Sequence, residues 1–317
     1  MRLHKHGLTT MTLGVLAALG FAAAPSLAAP VLTADSTASS SGNPGTPTPI
    51  SLPGYAGSST SSSDAGGNSN GYSFARSNGA YAVSTNSVGK AASTANAQYL
   101  YSLTNATAVA QQYTMSFHIY HGYIDTRPNN GVPALLSSEA LSASYLARVL
   151  VGGLAVFNSQ ASITRTGAGL TYSKTGTDLN TGDDGADGYY SWNDAYFTLD
   201  LGTLAAGASI DVAAQVGTAT TADVGVYTYT PTGCGYDGYG GYGGGVCPPV
   251  SVFKGTARSF YGDPIDFNNS TNAASSDPIT FVSSPAAADL PEPTSLALAA
   301  LGLAAAGLSR KRRGRPR

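Results

Sequence analysis

The sequence predicts an all-β protein whose body is a β-sandwich of the immunoglobulin-like or jelly-roll-like type. Several short runs alternate apolar with polar residues, which is the period of a half-buried strand. The chain has 39 glycines, which favour frequent turns over long helices. The runs follow each other without a βαβ rhythm. We expect two flanking helices outside the sandwich, an N-terminal signal helix and a C-terminal transmembrane helix.

Residues 1–28 are predicted to be a signal peptide. Arg2 and Lys5 precede an apolar run from Met11 to Ala24, and "SLA" supplies small residues for cleavage after Ala28. Signal peptidase is therefore an expected partner, and the mature chain is expected outside the cytoplasm. Residues 29–70 are rich in Ser, Thr, Gly and Pro and lack apolar periodicity. This composition predicts a flexible linker.

Residues 71–267 are predicted to form the sandwich, with about eight to ten strands. The run Ala97–Thr104 is strand-like, and Met115, Phe117 and Ile119 alternate with polar residues in the next run. Gly152 and Gly153 separate two β-rich runs, which favours a hairpin with a primed turn. A helix over Leu136 to Val151 is the competing interpretation, because that stretch also has some helical spacing.

The clearest strand pair is predicted on either side of "LGTLAAG". The run 197–201 places Phe197, Leu199 and Leu201 on one face, and the run 209–216 alternates in the same way. The "LGTLAAG" connection resembles one common in extracellular immunoglobulin-like domains. "VGVYTYT" and "PVSVF" add two further strands around the cysteine-containing loop.

Cys234 and Cys247 are the two cysteines of the chain. In an exported protein a disulfide between them is expected; it closes a loop of about 14 residues and contributes roughly 3 kcal/mol. A metal pair is the alternative, but no histidine lies near. The loop also matches G-x-G-x-x-G from Gly238 to Gly243, yet it follows no clear strand and opens no helix, so a phosphate-binding role is not expected.

The body is acidic. Between Ala29 and Pro293 there are eight basic against 18 acidic residues, which gives a formal charge of −10. This argues against nucleic acid as a partner, because nucleic-acid binding needs a basic surface. It is compatible with cations or neutral glycans.

The densest acidic stretch suggests a calcium hypothesis. It places carboxylates at Asp178, Asp183, Asp184 and Asp187. Calcium takes several oxygen ligands from a turning loop, but Gly182 and the missing closing glutamate depart from the EF-hand pattern. A solvated acidic loop is the alternative interpretation, and no other cofactor is expected.

Two other groups of residues invite a functional interpretation. Tyr189, Tyr190 and Trp192, with Tyr196, are a candidate platform for stacking sugar rings, although a core cluster is the alternative. His118 and His121 are expected on opposite faces of one strand, so they are not expected to hold a metal together. The chain has no H-E-x-x-H or C-x-x-C motif. We therefore expect no catalytic residues and no enzymatic activity.

Residues 268–290 are predicted to be a polar spacer before a C-terminal segment at 291–317. This segment has a Pro291-Glu292-Pro293 triplet, an apolar helix at 294–308 and a basic tail at 310–317 that includes Arg310, Lys311, Arg312 and Arg313. The helix spans roughly 22 Å of a roughly 30 Å hydrocarbon core, so it is a weak anchor. Basic residues stay on the cytoplasmic side, which places the body outside.

The order of triplet, apolar helix and arginine cluster resembles the PEP-CTERM sorting signal of Gram-negative bacteria, with Leu290 where valine is commoner. The resemblance covers only this end of the chain. It implies processing by an exosortase-type enzyme, transient tethering to the inner membrane, and a final location at the cell surface or outside the cell. It also implies a structural or adhesive role in an exopolysaccharide or biofilm matrix. A glycan-binding module and a secreted enzyme with a non-local site are the alternatives.

Overall fold

The all-β class is confirmed. The computed structural model describes residues 26–77, 79–180, 184–231, 247–262 and 279–286, and within these ranges it has 19 strands and no helix. None of the described residues forms a helix with the length and apolar character needed to cross a bilayer. The proposed helical parts of the signal peptide and of the sorting signal lie outside the described residues.

The centre of the fold is β7, a strand of 24 residues from Tyr81 to Thr104. Six strands precede it: β1 (Ser26–Leu27), β2 (Val31–Ser40), β3 (Asn43–Pro44), β4 (Thr48–Leu52), β5 (Tyr55–Asp64) and β6 (Gly67–Arg76). The next six are β8 (Gln111–Ile119), β9 (Gly122–Asp125), β10 (Ala140–Val151), β11 (Leu154–Thr166), β12 (Gly169–Gly176) and β13 (Tyr189–Trp192). The last six are β14 (Ala195–Leu204), β15 (Ser209–Asp223), β16 (Val226–Tyr229), β17 (Val250–Phe253), β18 (Thr256–Gly262) and β19 (Thr280–Pro285).

One antiparallel sheet of 14 strands runs through β7, which belongs to two layers at once. Its first part, 81–89, pairs with β6 and β18, and its second part, 90–104, pairs with β2 and β15. The first layer therefore continues from β18 to β9 and β13, and the second from β15 to β10, β11 and β12. The two layers are therefore parts of one sheet that is continuous through β7, and the described residues also form two smaller antiparallel sheets. The immunoglobulin-like or jelly-roll-like type of sandwich stays a prediction.

Aromatic side chains fill the space between the two layers. The Tyr145 ring of β10 lies 4.2 Å from the Trp192 ring of β13 and 6.1 Å from the Tyr261 ring of β18, measured between centroids. All three side chains are buried. Burying such large side chains provides most of the driving force for bringing the layers together.

A sheet of three strands, in the order β14-β8-β19, covers another part of the core. Phe117 of β8 meets Phe157 of β11 at 5.2 Å, and Phe281 of β19 meets Tyr101 of β7 at 5.0 Å. The predicted spacer 268–290 is therefore wrong over Thr280–Pro285, which forms a strand of this sheet. The rest of that spacer lies outside the described residues, except for Ile279 and Ala286.

The predicted linker at 29–70 is also wrong. It forms β2 to β5 and the first four residues of β6, and β2 pairs with β7 over ten residues. Many of its buried positions carry hydroxyl groups in place of large apolar side chains. The Ser36 hydroxyl lies 2.9 Å from the hydroxyls of Ser58 and Thr60, and Thr60 Oγ1 donates to the Ser36 carbonyl at 2.8 Å. Hydrogen-bonded hydroxyls are buried at little cost, so this layer packs without apolar alternation.

The hairpin at Gly152-Gly153 is confirmed, because β10 pairs with β11 across these two residues. The helical alternative for this stretch is wrong. The strands on either side of "LGTLAAG" also form, but they do not pair with each other. β14 pairs with β8, whereas β15 pairs with β7 and β10, so the connection crosses between two sheets.

Candidate functional site

The structure separates the three aromatic residues that were predicted to form one stacking platform. Tyr190 and Trp192 are 0% and 2% exposed, so they are core residues and the predicted ligand-binding role is wrong for both. Trp192 Nε1 donates to the carbonyl of Tyr120 at 2.9 Å. A Cβ atom at Gly122 would lie 2.3 Å from the indole ring, so this glycine makes room for Trp192.

Tyr190 connects the core to the acidic loop. Its hydroxyl donates to Asp178 Oδ1 at 2.9 Å, and burial raises the pKa of Tyr190, so the phenol stays protonated. The Lys174 side chain donates to the other carboxylate oxygen of Asp178, and this hydrogen bond lowers the pKa of Asp178. Asp178 therefore anchors the loop and the buried phenol.

The other predicted calcium ligands do not converge with Asp178 in the part of the loop that the structure describes. Asp184 Oδ1 accepts from the Ala186 amide at 3.0 Å, and Asp187 Oδ1 accepts from the Tyr189 amide at 2.9 Å. Asp183 lies outside the described residues. Among described side chains, no three His, Cys, Asp or Glu residues are grouped as a metal-ion site. The calcium hypothesis stays a prediction, with calorimetric titration as its test.

Tyr189 lies on the opposite, solvent-facing side of β13, where it meets rings from two other strands. Its ring is 5.7 Å from that of Tyr123 in β9, which is 6.1 Å from that of Phe260 in β18. The His121 ring is 5.8 Å from Phe260. All four side chains are half-buried. We call this set, His121, Phe260, Tyr123 and Tyr189, the aromatic face.

A polar groove of about 380 Å³ adjoins the aromatic face. We call it the arginine groove; its lining residues are Asp125, Arg127, Pro128, Asn129, Asn130, Thr256 and Arg258. The Arg127 guanidinium lies 4.3 Å from the centroid of the Tyr189 ring. Its Nε and one terminal nitrogen each lie 3.1 Å from an oxygen of Asp125, and this hydrogen bonding raises the pKa of Arg127.

The sequence predicted that the two histidines lie on opposite faces of one strand. The structure places them differently. β8 ends at Ile119, and the chain turns before β9, so both rings reach the same carboxylate. His118 Nε2 and His121 Nδ1 each lie 3.5 Å from an oxygen of Asp194. His118 is only 7% exposed and stacks on Tyr196 at 4.4 Å. This grouping is a packed cluster beside the end of β8.

A wider trough of about 440 Å³ crosses the outer side of β7, β15, β10, β11 and β12. Hydroxyl and amide side chains form much of its lining, among them Asn96, Ser144, Gln160 and Ser162. Gly217 and Ala219 leave its centre open. No ring in the described lining faces outward, because Tyr145 belongs to the buried core.

Two predicted features cannot be placed. Cys247 is buried, but Cys234 lies outside the described residues, so the disulfide stays a prediction. The sorting-signal residues also lie outside the described ranges: Pro291, Glu292, Pro293, Arg310, Lys311, Arg312 and Arg313.

Comparison with known proteins identifies the C-terminal signal. The family model described as the PEP-CTERM protein-sorting motif matches residues 289–313. No curated protein matches the chain. The chain therefore carries a PEP-CTERM sorting motif on a body of unrecognised family. The motif implies processing by an exosortase-type enzyme, export, and membrane-associated sorting in a Gram-negative bacterium.

Proposed function

We propose that this protein is a non-enzymatic structural or adhesive component of an extracellular matrix, delivered through its C-terminal sorting signal. The observation that carries the proposal is the PEP-CTERM motif at 289–313. A signal-peptide pattern at 1–28 supports it, because the two ends agree on an exported body. A predicted disulfide in the body also suits an oxidising compartment.

The properties of the body support a binding or scaffolding role over a catalytic one. The two body histidines lie at and just beyond the end of β8, where the buried His118 ring packs against Tyr196 and Tyr120. The groove and the trough both lie on outer faces of the sheets. We place the mature protein at the cell surface or in the matrix, with signal peptidase and an exosortase-type enzyme acting on it before that.

The sorting part of the proposal is tested by changing the triplet. In the producing bacterium, the unaltered protein should lose the basic tail 310–317 and be recovered outside the inner membrane. Glu292→Ala should retain the tail and remain in the inner-membrane fraction, because the recognition sequence is incomplete. Asp277→Asn, which changes a carboxylate upstream of the motif, is the matched control and should sort normally.

Mass spectrometry of the C-terminal peptides and cell fractionation measure the two outcomes. Equal processing of the Glu292→Ala protein and the unaltered protein would contradict the proposal. The matrix role is measured separately, as loss of matrix-bound polysaccharide in a strain that lacks the protein.

A further inference from the structure

We propose that the aromatic face and the arginine groove together bind an acidic polysaccharide, a chain of sugar rings that carry carboxylate groups. The inference rests on the proposed function only in requiring that the protein meets such chains outside the cytoplasm. The proposed site differs from the stacking platform predicted from the sequence. Tyr190 and Trp192 are buried, and rings from β9 and β18 take their place.

The rings form a continuous row because of strand register. Tyr123 pairs with Phe260 across β9 and β18, and Asp125 pairs with Tyr189 across β9 and β13. The Tyr123 and Tyr189 rings are close to parallel, with an angle of 28° between their planes. Sugar rings present apolar C–H faces, and a row of half-exposed aromatic rings offers them matching surfaces.

The row is also rigid. Its residues stand on strands whose opposite side is the core, where Ile124, Tyr190 and Tyr261 are each 0% exposed. Tyrosine loses little conformational entropy on binding, because it has only two side-chain torsions. A preformed surface of this kind loses less free energy on binding than a mobile loop does.

The charge of the groove indicates the class of sugar. Arg127 is already paired with Asp125. The Arg258 side chain is exposed, lines the groove, and interacts electrostatically with the neighbouring Tyr123. An open guanidinium is complementary to a carboxylate, with which it forms paired hydrogen bonds. Because the body as a whole carries a formal charge of −10, attraction of an anionic sugar depends on the arginines of this groove.

The trough on the other layer is a weaker candidate. Some hydroxyl and amide groups along it already bond to neighbouring strands, as in Thr37 with Thr94 at 2.7 Å and Asn96 with Asp35 at 2.9 Å. Its open side lacks rings on which sugars stack. That layer nevertheless provides a control, because Arg148 is an exposed arginine on its outer side.

The test measures binding of the purified full chain to alginate oligosaccharides, which carry carboxylates, and to dextran, which is neutral. Isothermal titration calorimetry gives the affinities. Tyr123→Leu and Arg258→Gln should each weaken alginate binding about tenfold or more, through loss of a stacking ring or of the charged contact. Tyr196→Leu and Arg148→Gln are the matched controls and should change the affinity by less than about twofold.

Circular dichroism verifies that each variant is folded. If Tyr123→Leu fails to fold, the exposed Arg258→Gln variant still decides the question. The proposal is overturned if alginate does not bind at about 1 mM, if dextran binds equally well, or if the site variants match their controls. Because the assay uses purified protein, a failure here leaves the sorting experiment unaffected, and the reverse also holds.

Discussion

The buried carboxylate of Glu139 links separate segments of the chain through hydrogen bonds. Its Oε2 accepts from Lys254 Nζ at 2.9 Å and from the Leu136 amide at 2.6 Å, and its Oε1 accepts from the Gly225 amide at 2.8 Å. Glu139 and Lys254 are 7% and 9% exposed. The carboxylate therefore connects the start of β10 to the segments beside β16 and β17.

Removing the cation of this pair should destabilise the protein. Lys254→Gln leaves a buried carboxylate without its counter-charge, so we expect the free energy of unfolding to fall by about 3 kcal/mol or more. Lys174→Gln, which removes the cation from the exposed pair with Asp178, should cost less than about 1 kcal/mol. Urea denaturation measures both. If both substitutions lower the free energy of unfolding equally, the buried Glu139–Lys254 pair contributes no more stability than the exposed pair.

The same pair predicts a pH dependence. Burial alone would raise the pKa of Glu139, but the hydrogen bonds from Leu136, Lys254 and Gly225 outweigh it, and the pKa lies below its usual value of 4.5. A lowered pKa contributes stability above pH 4.5, and this contribution is lost as the pH falls through the folded-state value. The loss of stability below pH 4.5 should be smaller in Glu139→Gln than in the unaltered protein. Thermal unfolding at pH values above and below 4.5 measures this difference.

At the scale of elements, the β10–β11 hairpin depends on its two glycines. Gly152 and Gly153 have φ angles of 55° and 83°, which fit the primed turns that match strand twist. A Cβ atom added at Gly153 would meet nothing within 4 Å. A substitution at Gly153 can therefore lower the free energy of unfolding only through the backbone conformation, because the new side chain would not clash with its neighbours.

This turn gives a clean test of backbone strain. Gly153→Val should lower the free energy of unfolding by about 1–2 kcal/mol, because a β-branched residue resists positive φ. Gly153→Asn should cost about 0.5 kcal/mol or less, because asparagine tolerates that conformation. Chemical denaturation of both variants provides the comparison. If valine and asparagine behave alike, the turn has relaxed to another conformation.

Elements with a local signal were predictable from the sequence. The Gly-Gly pair marked the hairpin, and the alternation around Met115 marked β8. The strands of 29–70 were missed, because Ser36, Ser58 and Thr60 occupy buried positions with hydroxyl groups in place of apolar side chains. The partners of β14 and β15 were also missed, since alternation fixes which residues face inward but not which strand pairs with which.

The candidate site was only partly predictable for the same reason. The sequence grouped Tyr189 with Tyr190, but period-2 geometry alone places Tyr190 on the other face of β13. The ligand-binding role of Tyr189 stays a prediction. The pairing of β9 with β13 and β18 brings Tyr123, Phe260 and Arg258 next to Tyr189. These strands are far apart in the sequence, so no local sequence pattern predicts their pairing. For the sorting signal, by contrast, the motif is contiguous and was identified from sequence.

At the scale of the whole molecule, β7 contributes to two differently packed interiors, one filled by aromatic rings and one by small and hydroxyl side chains. Between the layers, Tyr145, Trp192 and Tyr261 form an aromatic core. Where β2 faces β5 and β6, small residues and hydroxyl groups allow the layers to approach closely. Gly67 shows how closely, because a Cβ atom there would lie 2.8 Å from both the Lys90 nitrogen and the Val88 oxygen.

The close approach at Gly67 predicts that the Ser- and Gly-rich segment is structurally essential. Gly67→Val would force its side chain against the β7 backbone, so we expect the free energy of unfolding to fall by about 3 kcal/mol. Asn68→Val changes the exposed neighbour in the same strand and should stay within about 0.5 kcal/mol. Denaturant unfolding, followed by tyrosine and tryptophan fluorescence, measures both variants. If residues 29–70 were a linker, neither substitution would alter stability, and an unchanged Gly67→Val protein would therefore contradict the two-layer arrangement around β7.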